Sequence, residues 1–193
     1  MISRLSPYKK ENFMKIKTHD FFNIGVLTLF GTFFTIPLYS LISAIIITLP
    51  ANRIIDIYGH EKNGLGMPVR SYRTHSPLRA LFWGFLPAAI LFTIIYYLKG
   101  YYPKFPLPMP YFILMQGLLS GQLHLLLDLP TEGGIFINKK RFALGHFAYN
   151  NPLINLAGVL AGFLLIYLAF AGDNYEKIFY SVRHLFNSFR RLI

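Results

Sequence analysis

The sequence predicts an all-α fold, a polytopic membrane helical bundle of about five apolar helices with a C-terminal amphipathic helix. Composition is the first reason, because 54% of the 193 residues are hydrophobic, only 14% are charged and the mean hydropathy is +0.43. Soluble domains rarely combine these values. The second reason is a series of apolar segments that match the roughly 20 residues a helix needs to cross a bilayer. The connections between them are rich in Pro, Gly and charged residues, as expected of loops.

The first apolar stretch, residues 21–49, is longer than one membrane span and is interrupted by Pro37. It predicts either one long kinked helix or two short helices that fold back on each other as a hairpin. Three further apolar segments follow, at about residues 74–99, 109–130 and 151–171. With a hairpin at the start, the bundle has five helices.

Two short patterns of small residues predict close helix contacts. GLLSG at 117–121 and GVLAG at 158–162 place glycines four positions apart, so one side of each helix lacks bulky side chains. Such patterns let two helix backbones approach each other in a membrane. Such patterns are also frequent by chance in apolar helices. The alternative is that these glycines have no role at a helix interface.

We expect three regions along the chain. Residues 1–14 form a basic tail, residues 15–172 the helical domain, and residues 173–193 an amphipathic helix. In this last region the apolar residues recur at helical spacing and the basic residues lie off that stripe, which predicts a helix lying in the membrane interface. A helix packed against the bundle is the alternative. Cysteine is absent, which excludes disulfides and thiolate metal ligands.

The net charge of +11 is assigned to topology and anionic lipid headgroups rather than to nucleic acid, so membrane lipids are the expected partners. Lys and Arg are concentrated in the N-terminal segment, in the 53–79 connection and in the 139–141 loop, which share one side of the bundle. The opposite connection offers only Lys99 and Lys104. The positive-inside rule then predicts an integral, multi-pass protein of the cell membrane, with the first side facing the cytoplasm.

Ionisable residues occur at the ends of the apolar segments, where they predict a functional site. His124 and Asp128 in GQLHLLLDLPTEGG are four positions apart, which places them on one face of a helix, and Asp56 and His60 have the same spacing. A carboxylate in the middle of a bilayer costs on the order of 3 kcal/mol, so such residues usually have partners and often mark function.

These residues would converge if the first apolar stretch is a hairpin that turns near Pro37. The side that carries His124 and Asp128 then also receives the ends of the other segments. Imidazole and carboxylate groups bind Zn²⁺ and other divalent metals, and a cation would offset the cost of burying the carboxylates. For any one histidine alone, a helix cap or a hydrogen-bonded core position is the simpler explanation, but the convergence of six residues favours a metal site. The predicted metal ligands are His19, Asp56, His60, His75, His124 and Asp128.

Other polar residues near these positions are given lesser roles. Asp20, Glu61 and Glu132 are candidates for hydrogen-bond partners of the metal ligands or for a general base, with ordinary solvation as the simpler explanation. His146 and His184 lack a comparable spacing and are expected to be structural or surface residues.

At these motifs the sequence resembles the YdjM-type membrane-bound metal-dependent hydrolases, and more closely a related archaeal domain family of uncharacterised membrane proteins. The resemblance covers most of residues 15–170. It rests on the Thr-His at 18–19, on Asp56, on the Thr-His-Ser at 74–76, and on the G-x-x-H-x-x-x-D of GQLHLLLD with the Gly-rich turn that follows. The family is distantly similar to zinc-dependent phospholipases C and single-strand zinc nucleases.

The resemblance implies metal-dependent hydrolysis of a phosphate ester, with a phospholipid or a lipid-linked phosphate as the expected substrate. Asp56 would act in catalysis, and Arg70, Arg73 and Arg79 would grip the phosphate, with membrane-flanking positive charges as the alternative, above all for Arg79. Ser76 is expected to cap the third helix rather than to act as a nucleophile. Two departures lie within the motifs: Tyr58 and a displaced His60 follow Asp56 where the family usually reads Asp-x-Asp-His, and Arg70 stands where it has a histidine. One or two divalent metal ions, with Zn²⁺ as the expected metal, are therefore predicted rather than three.

Two alternatives to an active enzyme stay open. One is a non-catalytic integral membrane protein in which a metal is a structural staple, and the other is a degenerate, inactive member of the hydrolase family. A metal carrier would need polar residues along the whole bundle, and Asn23, Thr28 and Ser43 are too few for such a path.

Overall fold

A computed structural model describes residues 16–62, 68–101, 111–145, 147–148 and 151–171. Within them the chain forms five helices and four short strands. The helices are α1 (Ile16–Gly31), α2 (Pro37–Gly59), α3 (Pro77–Tyr101), α4 (Tyr111–Asp128) and α5 (Pro152–Phe170). The strands are β1 (His60–Lys62), β2 (Pro68–Arg70), β3 (Ile135–Ile137) and β4 (Lys140–Phe142). The predicted basic tail and the predicted C-terminal amphipathic helix lie outside the described residues.

The first apolar stretch forms two helices, so the hairpin is the correct alternative. Pro37 is the first residue of α2, where its missing N–H leaves no helical hydrogen bond unmade. The two helices are joined side by side by polar contacts, since Ser40 Oγ donates to the Thr28 carbonyl at 2.7 Å and Asn23 Nδ2 donates to Asn52 Oδ1 at 3.1 Å. The start of α1 therefore lies beside the end of α2.

Both patterns of small residues lie at helix contacts. GLLSG belongs to α4, which packs on α3, and GVLAG belongs to α5, which packs on α1. A Cβ at Gly121 would collide with the Ala80 carbonyl oxygen, and a Cβ at Gly162 would collide with the Phe21 carbonyl oxygen. The backbones are this close because glycine has no side chain, which is the arrangement that such patterns allow.

The interior between α1, α2 and α4 is more polar than the sequence argument assumed. Ser43 Oγ donates to Gln116 Oε1 at 2.7 Å, and Gln116 Nε2 donates to the Leu27 carbonyl at 2.9 Å, so all three helices are joined by these bonds. The count of three polar residues on which the sequence argument relied was too low. The buried uncharged polar residues of these helices and of the α1–α2 turn include Asn23, Thr28, Thr32, Ser40, Ser43, Thr48, Asn52, Gln116 and Ser120.

Three of the described helices are long and apolar enough to cross a membrane: Pro37–Asp56 within α2, Pro77–Tyr101 (α3) and Pro152–Phe170 (α5). Large apolar side chains on α3 and α5, such as Ile90 and Leu160, are exposed. Exposed apolar surface of this extent is typical of a face that meets lipid or another protein. α1 has only 16 residues, fewer than the roughly 20 that a span requires.

The all-α prediction was wrong in one respect, because two antiparallel two-stranded sheets are present in the connections. β1 pairs with β2 and β3 pairs with β4. The turn between β3 and β4 consists of Asn138 and Lys139, which both have positive φ, as a tight two-residue hairpin requires. Strands of three residues are too short to give an alternating pattern of apolar and polar residues, so the sequence did not reveal them.

We predict that Gly121→Ala lowers the free energy of unfolding by about 1–3 kcal/mol, because the added methyl group forces α3 and α4 apart. Gly100→Ala is the matched control, since it changes a glycine of α3 whose Cβ would meet nothing within 4 Å. Unfolding in mixed detergent and denaturant measures both variants. Equal stabilities of the two variants would contradict the packing described here.

Candidate metal centre

Five of the six predicted ligands come together at one end of the bundle. His19 lies in the first turn of α1, Asp56 in the last turn of α2, His75 in the segment before α3, and His124 and Asp128 in the last two turns of α4. The α1–α2 hairpin brings these ends to the same side. The side chain of His60, the sixth predicted ligand, lies outside the described part of the structure.

The carboxylate of Asp128 lies in the middle of this group. Its Oδ1 is 3.4 Å from Nε2 of His19, and its Oδ2 is 3.4 Å from Nε2 of His124 and 3.6 Å from Nε2 of His75. Nε2 of His124 is also 3.4 Å from Oδ1 of Asp56. The rings of His19 and His124 are stacked, with their centroids 4.1 Å apart. Three imidazoles and two carboxylates thus face a common space.

Burial separates Asp56 from the other four residues. His19 is 1% exposed, and His75, His124 and Asp128 are not exposed at all. The side chain of Asp56 is 24% exposed. The cluster is therefore closed on most sides and has its described opening beside Asp56.

The donor set is suitable for a metal ion. Two groups of residues have ligand atoms within 4.8 Å of one another: His19, His124 and Asp128 form one, and Asp56, His75 and His124 form the other. Ligands at 2.0–2.1 Å from a tetrahedral zinc ion are about 3.3–3.4 Å apart, close to the separations observed. Within the described residues, Nε2 of His124 and Oδ2 of Asp128 make no hydrogen bond although both are buried. Such atoms are costly to bury unless something binds them, so these groups could hold a metal ion.

His75 is held in place from three directions. Its Nδ1 is 2.9 Å from Thr74 Oγ1, its backbone N–H donates to the Ser71 carbonyl, and its own carbonyl accepts from Phe136 N–H of β3 at 2.7 Å. Burial lowers the pKa of His75 to about 3. The ring is therefore neutral at physiological pH, which is the state in which imidazole binds metals.

Arg70, which was predicted to grip a phosphate, contacts a predicted metal ligand. Its guanidinium donates to Asp128 Oδ1 at 2.5 Å and to the Gly134 carbonyl at 3.2 Å. Pairing with β1 fixes the backbone of Arg70 at the end of β2, and Gly134 has the positive φ (54°) that the turn after α4 requires. A charge-assisted hydrogen bond of this length offsets the free-energy cost of burying the Asp128 carboxylate.

The remaining cationic and hydroxyl candidates lie around this core. The side chain of Arg73 is exposed. Arg79 donates to Tyr72 Oη at 2.8 Å and stacks on that ring, so it is engaged within the protein. The Ser76 carbonyl accepts the first hydrogen bond of α3 from Ala80 N–H, which is the N-cap position expected for Ser76.

Of the acidic candidates, Asp20 contacts the cluster indirectly. Its Oδ1 accepts from Asn52 Nδ2 at 2.9 Å, and Asn52 Oδ1 is in turn 3.1 Å from His124 Nδ1. Glu132 is exposed. The side chain of Glu61 lies outside the described residues, as do His146 and His184.

Sequence reasoning missed Asn52 and gave Asn23 no role at the site, although both lie directly beside the cluster. Asn52 is four positions before Asp56, and Asn23 is four positions after His19, so each shares a helix face with a predicted ligand. This spacing is the signal that could have identified them. It was not used because the prediction of the site paired ionisable residues alone.

The fold and the site define an α-helical protein with three membrane-capable helices and a buried His/Asp cluster that could hold a metal ion. The chain belongs to a family described as protein of unknown function (DUF1286), whose family model matches residues 14–127. The matched region contains His19, Asp56, His75 and His124 and ends one residue before Asp128. No curated protein and no solved structure matched the chain.

We predict that His124→Ala abolishes stoichiometric metal binding, because His124 belongs to both ligand groups, while the helices stay folded. Glu132→Gln, which changes an exposed acidic residue near the same end, is the control and should bind metal like the wild type. Metal content by mass spectrometry and helix content by circular dichroism measure the two effects. Full metal retention in His124→Ala would exclude His124 as an essential ligand.

We also predict that Arg70→Met destabilises the metal-free protein by about 3–5 kcal/mol, because it leaves the buried Asp128 carboxylate without its cation. Arg141→Met removes an exposed guanidinium of β4 and should change stability little. Chemical unfolding with and without added Zn²⁺ measures this. A bound cation should reduce the deficit of Arg70→Met, and a deficit that zinc leaves unchanged would argue against metal binding next to Asp128.

Proposed function

We propose that the protein is a membrane-embedded, metal-dependent hydrolase that cleaves a phosphate ester of a phospholipid or a lipid-linked substrate. The observation that carries the proposal is the buried cluster of three imidazoles and two carboxylates with a single partly exposed member, Asp56. A catalytic metal site needs such an opening, because one position must be available to water and substrate. A purely structural site has no such need.

One zinc ion is the proposed cofactor. The two ligand groups share His124, whose Nδ1 is engaged with Asn52, so only Nε2 of this residue faces the cluster. A single ring nitrogen binds one ion, and both groups therefore cannot be filled through His124 at once. The nitrogen-rich donor set without sulfur suits zinc among the common divalent metals. Near His60 and at Arg70 the sequence departs from the motif of the family that it resembles. These departures agree with a small number of metal ions.

A bound divalent ion supplies Lewis acidity, which makes water nucleophilic at neutral pH and stabilises negative charge on phosphoryl oxygens. The residues of the chain then have distinct roles. Asp56 lies at the opening, where its carboxylate can accept a proton from the attacking water. Arg73, exposed before α3, is the proposed contact for the substrate phosphate, and Arg70 holds Asp128 and places a second guanidinium near the cluster.

The membrane is the proposed source of the substrate. Three helices could cross a bilayer, and their exposed apolar side chains would meet lipid. The cluster lies at the end of the bundle that carries Arg53, Arg73 and the Lys140–Phe142 strand, and by the positive-inside rule these charges support an orientation of the cluster toward the cytoplasm. The lipid headgroups of the inner leaflet would then lie at the level of the site.

The resemblance to YdjM-type hydrolases supports the same reaction. Its motifs supply His19, Asp56, His75, His124 and Asp128, the residues that form the cluster. The resemblance rests on short motifs and their order along the chain, and these positions are far apart in the sequence. Their proximity is what a shared metal would require.

A structural metal site is the second candidate. It is favoured by the burial of four of the ligands, which are at most 1% exposed, since a closed site is typical of structural zinc. In that case metal would stabilise the fold and no substrate would be turned over.

We predict that the zinc-loaded protein in mixed micelles hydrolyses a phosphodiester, tested with bis(p-nitrophenyl) phosphate and with phosphatidylglycerol, and that a chelator abolishes the activity. Asp56→Asn should lower kcat by about 10²-fold or more, as expected for loss of a general base. Arg73→Met should raise KM, whereas Arg141→Met, which changes an exposed arginine of β4, should not. Stoichiometric zinc without turnover of any substrate would favour the structural site.

A further inference from the structure

We propose that Asn52 is a positioning residue that selects the tautomer of His124 in which Nε2 is free to bind metal. The proposal rests on the metal-binding part of the proposed function, and it concerns a residue that lies outside the ligand set. Asn52 is fully buried in α2, as are its partners Asn23 and His124, whereas its partner Asp20 is 7% exposed.

The orientation of the Asn52 amide follows from its contacts. Its Nδ2 donates to the Asp20 carboxylate at 2.9 Å, and a carboxylate only accepts. Its Oδ1 accepts from Asn23 Nδ2 at 3.1 Å. Both contacts require the amide nitrogen to face Asp20 and the amide oxygen to face His124.

The tautomer of His124 then follows. Oδ1 of Asn52 lies 3.1 Å from Nδ1 of His124, and because an amide oxygen only accepts, Nδ1 must carry the hydrogen. The lone pair of the neutral ring is therefore on Nε2, which faces Asp56 and Asp128 at 3.4 Å from each. This is the relation in which an outer-shell group fixes the ring orientation and the tautomer of a metal-binding histidine.

Asn23 and Asp20 keep the side-chain amide of Asn52 from rotating so that its oxygen and nitrogen exchange places. Asn23 Nδ2 also donates to the Ser120 carbonyl at 3.2 Å, so it is anchored to α4, one turn below His124. Asp20 Oδ2 lies 3.7 Å from Arg53 of α2. The chain from Asp20 through Asn52 to His124 thus connects α1, α2 and α4 at the base of the cluster.

The test compares zinc affinity and the histidine tautomer in four proteins. Asn52→Leu removes the acceptor and should weaken zinc binding about 10–100-fold, with His124 shifting toward the Nε2-protonated form. The double variant Asp20→Asn/Asn52→Asp exchanges the two groups, keeps the net charge and an acceptor for Nδ1, and should restore both properties. Thr48→Val, on the same face of α2 one turn away, should behave as the wild type.

Zinc competition titration gives the affinities, and long-range ¹H–¹⁵N correlation spectra of metal-free, ¹⁵N-histidine-labelled protein give the tautomers. A His124 ring in the metal-free wild type that carries hydrogen on Nε2 and none on Nδ1 would overturn the proposal whether or not the variants fold. So would a double variant as defective as Asn52→Leu, or an Asn52→Leu protein with wild-type affinity. If the wild type binds no zinc but its His124 ring carries hydrogen on Nδ1, the proposed metal function would be wrong, whereas the effect of Asn52 on the tautomer would be confirmed.

Discussion

The carboxylate of Asp128 is the constraint on which this end of the bundle depends. It has no exposure, and an ionised carboxylate in such a place is costly unless it is paired and hydrogen-bonded. Arg70 supplies the cation, and the imidazoles of His19, His75 and His124 lie around the two carboxylate oxygens. Each of these partners comes from a different part of the chain, so one buried charge requires α1, α4, β2 and the segment before α3 to meet.

The parts of the site that the sequence predicted are those that depend on helix geometry. Asp128 and His124 could be paired because a spacing of four places two residues on one helix face. His19 and Asp56 required a further step, the assumption that the chain reverses near Pro37, since a single kinked helix would have separated them by the length of the bundle. That assumption rested on the length of the apolar stretch and on the position of a proline, both of which can be read from sequence.

The parts that sequence did not predict depend on contacts with no periodic pattern. Arg70 was assigned to a phosphate, yet it lies on Asp128, because the pairing of β1 with β2 directs it there and three-residue strands leave no trace in the hydrophobicity. Asn52 was overlooked since an uncharged amide inside a helix is usually one of many polar groups that join helices. Its role becomes visible only when the partners of both ends of the amide are known. Zinc, hydrolysis and the orientation in the membrane remain predictions.

The ion pair between Arg70 and Asp128 also affects whether the cluster can be catalytic. Arg70 already balances Asp128, so a divalent ion would bring the cluster a net positive charge unless a second anion enters. Asp56 provides that second charge from inside the protein, and a substrate phosphate would provide more from outside. With one divalent ion bound, Arg70, Asp128 and Asp56 would leave one positive charge unbalanced, and Asp56 marks the opening through which an anion could reach the cluster. In the proposed hydrolase, the phosphate of the substrate would supply this missing negative charge, whereas a structural site would have to balance it without a substrate.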